Sequence, residues 1–330
     1  MNLNEVFEFE KKKRKLIGKR ARMVVSICVF SLALMFALQL AAAFANSVLA
    51  SKTTIFESST ISLLMDMLFY VLYIVIPFGL AAFVFKGYNK NVKIFLPKRS
   101  LPKYGALYII GAIGAGYILN LLISLLFPSF VEFFSSDVTI DVNNPLDVFI
   151  CVIMTAVLPA ILEEWAFRGV LLKNMLPYGR GGAIVISSIL FGLAHIDPPR
   201  IIFATAFGLM LGLCYEYTGS LLVPMTIHFI NNAISVMGTL MPEDSLFVLL
   251  LGILIFAFIG CGIAAIIIYS INGIKKNKVS LIKQENHGYT LPTFKYASRM
   301  VLNFAFIPLM AVFAFIFILS YFPQLFLGLL

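Results

Sequence analysis

Long apolar runs alternate with short polar breaks along almost the whole chain. A helix that crosses a bilayer needs about 20 consecutive apolar residues. On that measure the pattern predicts nine helices, near residues 23–46, 60–85, 104–127, 147–176, 180–197, 199–217, 220–240, 246–272 and 299–327. Helices 5 to 7 are short and closely joined. The polar stretch 273–298 reads as a loop that sets the last helix apart. No internal repeat of the kind that builds many transporters is visible. The expected fold is all-α: a polytopic membrane protein, about nine transmembrane helices around a central block of helices 4–7. It divides into an N-terminal segment 1–22, three helices within 23–144, a core at 145–240 and further helices within 241–330.

Composition agrees with the pattern. The 330-residue chain is 61% hydrophobic and 12% charged. A soluble domain is nearer half apolar and a quarter charged. The net charge of +9 does not point to nucleic acid, because the basic residues sit in short segments between apolar runs. That is how cytoplasmic loops face anionic membrane lipid. Eight basic residues lie between Lys11 and Arg22, six in 86–103 and six in 273–299. The segment 128–147 instead carries Glu132, Asp137, Asp141 and Asp147, and 241–245 carries Glu243 and Asp244. With a cytoplasmic N-terminus, nine crossings put every basic segment inside and both acidic segments outside. The run 23–45 exceeds the roughly 7–15 residues of a signal-peptide core, so it is expected to stay as the first membrane helix. The expected location is integral and multi-pass, in the plasma membrane of a prokaryote. Cys28, Cys151, Cys214 and Cys261 all lie in apolar runs without a CxxC spacing, and read as packing residues.

Ionisable side chains near mid-bilayer cost roughly 2.5–3.5 kcal/mol each on insertion scales. Asp66 and Glu216 lie near helix ends and read as interfacial, and His287 lies in the polar loop. Glu163, Glu164, Arg168, His195 and His228 remain, in helices 4, 5 and 7. With a rise of about 1.5 Å per residue, Glu163 stands about 21 Å above the turn at Pro177, and His195 about 22 Å above Arg180. His228 and Asn232 stand about 12 and 18 Å above Ser220. All four therefore converge on a middle layer if these helices are neighbours. Glu164 and Arg168 share a face at i,i+4 and can pair, as do the positions of His228 and Asn232. Glu163 lies about 100° round the helix from Glu164 and points elsewhere.

One carboxylate neutralised by arginine, beside one that is not, suggests water activation. Glu163 and His195 could hold a water and take its proton as it attacks a carbonyl. His228 and the Asn232 amide could stabilise the oxyanion. No serine has a GxSxG context, and Ser187 and Ser188 precede His195 without one. Two alternatives stand beside this. The cluster could be polar glue between helices, or Glu163, His195 and His228 could hold zinc, although no HExxH motif supports that.

"EEWAFR" fits an EExxxR motif, "FGLAH" from Phe191 to His195 fits FxxxH, and "HFINN" from His228 to Asn232 fits HxxxN. In that order, within about residues 145–240, they resemble the CAAX protease and bacteriocin-processing family, also called the Abi family of intramembrane proteases. The resemblance implies a glutamate-dependent endopeptidase with its site inside the membrane. It implies Glu163 and His195 on the water, His228 and Asn232 at the oxyanion, and Glu164, Arg168 and Phe191 in support. It implies no resident cofactor in the glutamate-type reading and zinc in the metalloprotease reading. The partners expected are a membrane peptide or lipidated protein as substrate, membrane lipid, and no nucleic acid. The alternative function is a non-enzymatic membrane scaffold or bacteriocin-immunity protein, with the polar cluster structural.

Overall fold

The apolar runs form helices because main-chain polar groups have no water to bond within a membrane, and a helix satisfies them internally. The structure, a computed structural model, describes residues 3–52, 58–88, 105–126, 142–241, 245–276 and 306–321. Among the described residues every regular element is helical, and nine helices follow one another. They are α1 Leu3–Lys52, α2 Ser59–Tyr88, α3 Gly105–Leu126, α4 Pro145–Tyr178, α5 Arg180–Leu193, α6 Pro198–Thr218, α7 Leu222–Leu240, α8 Leu246–Lys276 and α9 Phe306–Tyr321. Five of the spans within them are long and apolar enough to cross a membrane: Gly18–Leu49, Ser59–Gly87, Pro145–Tyr178, Pro198–Thr218 and Leu246–Ala264. They indicate an integral multi-pass membrane protein. Ile113–Leu126 and Arg180–Leu193 are shorter apolar helices.

Three helices differ from the expected bounds. The first begins at Leu3 rather than near 23, because Lys, Arg and Glu are good helix formers and carry the helix through the basic segment. Of the last, only Phe306–Tyr321 is described. The fifth stops at Leu193 rather than 197. Pro198 and Pro199 follow, and Ile196 adopts a left-handed φ of 62°. A β-branched residue there is strained. Asp197 caps α6, its carboxylate accepting from Arg200 N. The segments 89–104, 127–141 and 277–305, which carry most of the loop charge used to assign sides, lie outside the described residues.

α4 is the centre of the assembly, with α2, α5, α6 and α7 packed against it. α1 packs on α2 and on α9, while α3 packs on α8 and reaches the centre through α6. Asn144 caps α4 and Pro145 opens it. Buried Asp147 accepts from the Ser59 and Thr60 hydroxyls, pinning the start of α4 to the start of α2. Arg180 pairs with Glu216 at 3.0 Å and ties the start of α5 to the end of α6. Close approach of α5 and α6 needs Gly192, where a Cβ would stand 1.9 Å from Thr205 Oγ1. The core is aromatic near α4: Phe167 meets Phe78 of α2 and Phe191 of α5, each at 5.2 Å between ring centroids.

Candidate active site

Glu163 and Glu164 stand on α4 between two π-helical stretches, Ile153–Val157 and Trp165–Leu172. Such stretches are frequent at functional sites. Pro159 lies between them and has no N–H to give the carbonyl four residues earlier, that of Thr155. Asn232 of α7 takes that place, its Nδ2 donating to Thr155 O at 3.1 Å. Asn231 Nδ2 donates to Asn232 Oδ1 at 3.1 Å and so fixes which end of the Asn232 amide faces α4. The second Asn232 N–H remains as a donor.

Glu164 is fully buried, and its Oε1 is shared. Arg168 Nη1 donates to it at 2.7 Å, and His228 Nδ1 lies 3.0 Å away. A carboxylate oxygen only accepts, so His228 carries a proton on Nδ1. Arg168 is equally buried; its Nη2 donates to Gly208 O at 3.1 Å, and its guanidinium lies 4.4 Å over the Phe191 ring. The expected Glu164–Arg168 pair is present, but it is not closed on itself. It joins α4 to α5, α6 and α7.

Glu163 is held differently. Tyr70 of α2 donates its hydroxyl to Glu163 Oε1 at 2.8 Å. Glu163 Oε2 is buried, has no hydrogen-bond donor among the described residues, and lies 3.9 Å from His228 Nε2. That is too long for a hydrogen bond, yet it sets carboxylate and imidazole side by side. His195 lies in the turn just beyond α5. Its Nδ1–H donates to Phe191 O at 2.9 Å, which leaves the lone pair on Nε2. Its ring packs edge-on against Phe191 at 5.1 Å, and the same Phe191 ring meets His228 at 5.8 Å. The two histidines thus share one aromatic neighbour. The hydrogen bonds of Glu163 and His195 run to Tyr70 and to Phe191 O rather than to each other.

Both serines before His195 are tied to main chain: Ser187 Oγ donates to Phe167 O at 3.0 Å and Ser188 Oγ to Ile184 O at 2.7 Å. Among the described residues no three His, Cys, Asp or Glu side chains are grouped so as to hold a metal ion.

Tyr70 was not legible as a site residue, and neither was the cavity beside it. A cavity of about 480 Å³ opens between α1, α2 and α4. Gln39, Asn46, Asp66, Tyr70, Tyr73 and Thr155 are its polar lining. A faint signal exists. Gln39 and Asn46 are seven apart on α1, and Asp66, Tyr70 and Tyr73 are spaced four and three apart on α2. At those spacings they fall on one face of each helix.

Residues 145–234 match a protein family described as Rce1-like type II CAAX prenyl endopeptidases. Over 87 residues the chain is 37% identical to the uncharacterized protein YpbD of Bacillus subtilis, covering 25% of this chain and 42% of that protein. Over 104 residues it is 30% identical to the membrane-embedded CAAX protease MroQ of Staphylococcus aureus, covering 29% of this chain and 42% of that protein. The chain therefore spans about two fifths of the length of each of these relatives. No solved structure matches it significantly. The family match contains Glu163, Glu164, Arg168, Phe191, His195, His228 and Asn232, while Tyr70 lies outside it.

Proposed function

We propose that this chain, which belongs through residues 145–234 to the Rce1-like family of type II CAAX prenyl endopeptidases, hydrolyses a peptide bond inside the membrane with Glu163 as the base for the attacking water. The observation that carries the reading is the difference in charge partners of the two carboxylates. Each has one buried oxygen without a donor among the described residues, but Glu164 is bonded through Oε1 by the Arg168 guanidinium and by His228, whereas Glu163 is bonded by a neutral hydroxyl alone and its open oxygen faces His228 Nε2 at 3.9 Å. A base needs such an oxygen within reach of the proton it takes.

In this reading the water oxygen attacks the substrate carbonyl carbon as its proton passes to Glu163 Oε2. His195, whose Nε2 lone pair is left by the Nδ1–H bond to Phe191 O, helps orient the water. In its imidazolium form His228 donates Nδ1–H to Glu164 and turns Nε2–H to the oxyanion, joined by the second N–H of Asn232. The proton then moves from Glu163 to the leaving nitrogen and the C–N bond breaks. Tyr70 positions Glu163, and the Glu164–Arg168 pair positions His228. Residues 145–240 form the catalytic unit, and the membrane is crossed nine times from a cytoplasmic N-terminus in a prokaryotic plasma membrane. The substrate is a membrane-associated or lipidated peptide.

The scaffold reading draws support from the buried Glu164–Arg168–His228 network, which would also clasp helices without chemistry. Comparing membrane peptides from cells carrying the wild type or Glu163→Ala separates the two. An endopeptidase leaves an uncut peptide that accumulates only with the variant. Identical peptide profiles at equal protein abundance favour the scaffold. Chelation of the purified protein addresses zinc: activity that survives a strong chelator supports the glutamate reading, and loss restored by zinc reverses it.

A further inference from the structure

We propose that the cavity between α1, α2 and α4 is the substrate subsite, and that it seats an extended, positively charged peptide segment rather than one ending in a free carboxylate. This rests on the reading of Glu163 as the hydrolytic base, because the cavity and that carboxylate share Tyr70, which lines one and holds the other.

Hydrogen-bond polarity is the first argument. Asn46 Nδ2 donates to Asp66 Oδ1 at 2.7 Å. Asp66 only accepts, so the amide orientation is set, and Asn46 Oδ1 is left buried without a donor among the described residues. Gln39 lines the same wall, and its Oε1 is buried without a donor among the described residues. Two buried acceptors on one cavity wall call for donors. The main-chain N–H groups of an extended peptide are such donors.

Charge is the second argument. Asp66 lies in the lining and Glu163 beyond Tyr70, and among the described residues no Lys, Arg or His lines the cavity. A cationic segment is attracted there, and a terminal carboxylate is repelled. Shape and size agree. Ala42, Ala43, Phe69 and Pro159 supply apolar walls, and about 480 Å³ lies within the roughly 300–1,000 Å³ of ligand pockets. Position is the last. The cavity meets α1 at 39–46, the half of that helix remote from Lys11–Arg22. The positive-inside rule makes that the outer half. The segment therefore arrives from the outer side, as an internal or N-terminal stretch of its protein.

The test uses the full chain in lipid nanodiscs, with Glu163→Gln to stop turnover. Its probes are three fluorescein-labelled apolar peptides of one sequence, bearing three lysines, three glutamates or neither, each as acid and as amide. Fluorescence anisotropy reads binding. The cationic amide is expected to bind at least about ten-fold tighter than the acidic peptide. Asp66→Lys should reverse that order, and Asp66→Asn, which keeps the Asn46 bond and size, should flatten it. Equal affinity for all charges, or an order unmoved in both Asp66 variants, overturns the proposal. So does displacement of every peptide alike by added phospholipid, which would make the cavity an acyl-chain site. Wild type is scored separately for cleavage. Charge-selective binding without cleavage sinks the hydrolase reading and keeps the subsite. Cleavage without charge selectivity does the opposite.

Discussion

Glu163 and Glu164 are adjacent and chemically identical, yet their surroundings divide them. Both keep one buried oxygen without a donor among the described residues, but Glu164 is held by the Arg168 guanidinium and His228, and Glu163 by the neutral Tyr70 hydroxyl. Truncating one partner of a buried ion pair leaves the other charge uncompensated, at a cost of about 3–5 kcal/mol. Arg168→Ala should therefore lower the unfolding temperature of the purified protein sharply, and a melting curve matching wild type would refute that. Tyr70→Phe should leave the melting curve nearly unchanged and KM within two-fold, while kcat falls about ten-fold, the equivalent of one hydrogen bond. A change confined to KM would assign Tyr70 to substrate rather than to Glu163. The motif residues were legible in the sequence because ionisable side chains are rare in apolar runs. Tyr70 was not, since a tyrosine in an apolar helix carries no signal until tertiary packing sets it against a carboxylate.

At the scale of the element, α4 is a helix whose ladder is interrupted where it matters. Pro159 withholds an N–H from Thr155 O, and Asn232 supplies one from α7. Pro159→Ala would give Thr155 O a main-chain donor again. Alanine is also about 3 kcal/mol better than proline inside a helix. The expected outcome is a higher unfolding temperature with lower hydrolytic activity, because a main-chain donor at Thr155 O competes with Asn232 for that carbonyl; activity at the wild-type level would show that the anchor is idle. The helices themselves could be read from hydropathy alone. Their ends could be read only where a specific residue stops them. The apolar pattern ran through to 197, but Pro198 and Pro199 with the left-handed Ile196 end α5 at Leu193 and place His195 in a turn. The π-helical stretches have no sequence signature of that kind; they lie where α4 meets α7 and α5.

For the whole molecule, charge along the sequence sets an expectation for the sides of the membrane, and the cavity gives that expectation a consequence. Ala43 is exposed and lines the cavity. In a chain whose native cysteines are replaced by serine, Ala43→Cys should react with a membrane-impermeant maleimide added to intact cells, and a cysteine at Glu8 should react only after lysis. The reverse pattern would invert the topology and place the cavity on the cytoplasmic side. About nine helices around a central block of helices 4–7 were legible as a pattern. Which of them contact each other was not, because apolar faces in a membrane look alike from sequence. Only the polar positions on α4, α5 and α7 marked those helices as neighbours.

The most direct measurement compares purified full-length wild type and Glu163→Gln on the peptide that accumulates in Glu163→Ala cells, with cleavage followed by mass spectrometry and folding by thermal unfolding. Wild type should cut the peptide at one bond, and Glu163→Gln should cut it at least about 100-fold more slowly, with an unchanged unfolding temperature. Equal cleavage by both proteins would remove Glu163 from the chemistry and contradict its assignment as the base.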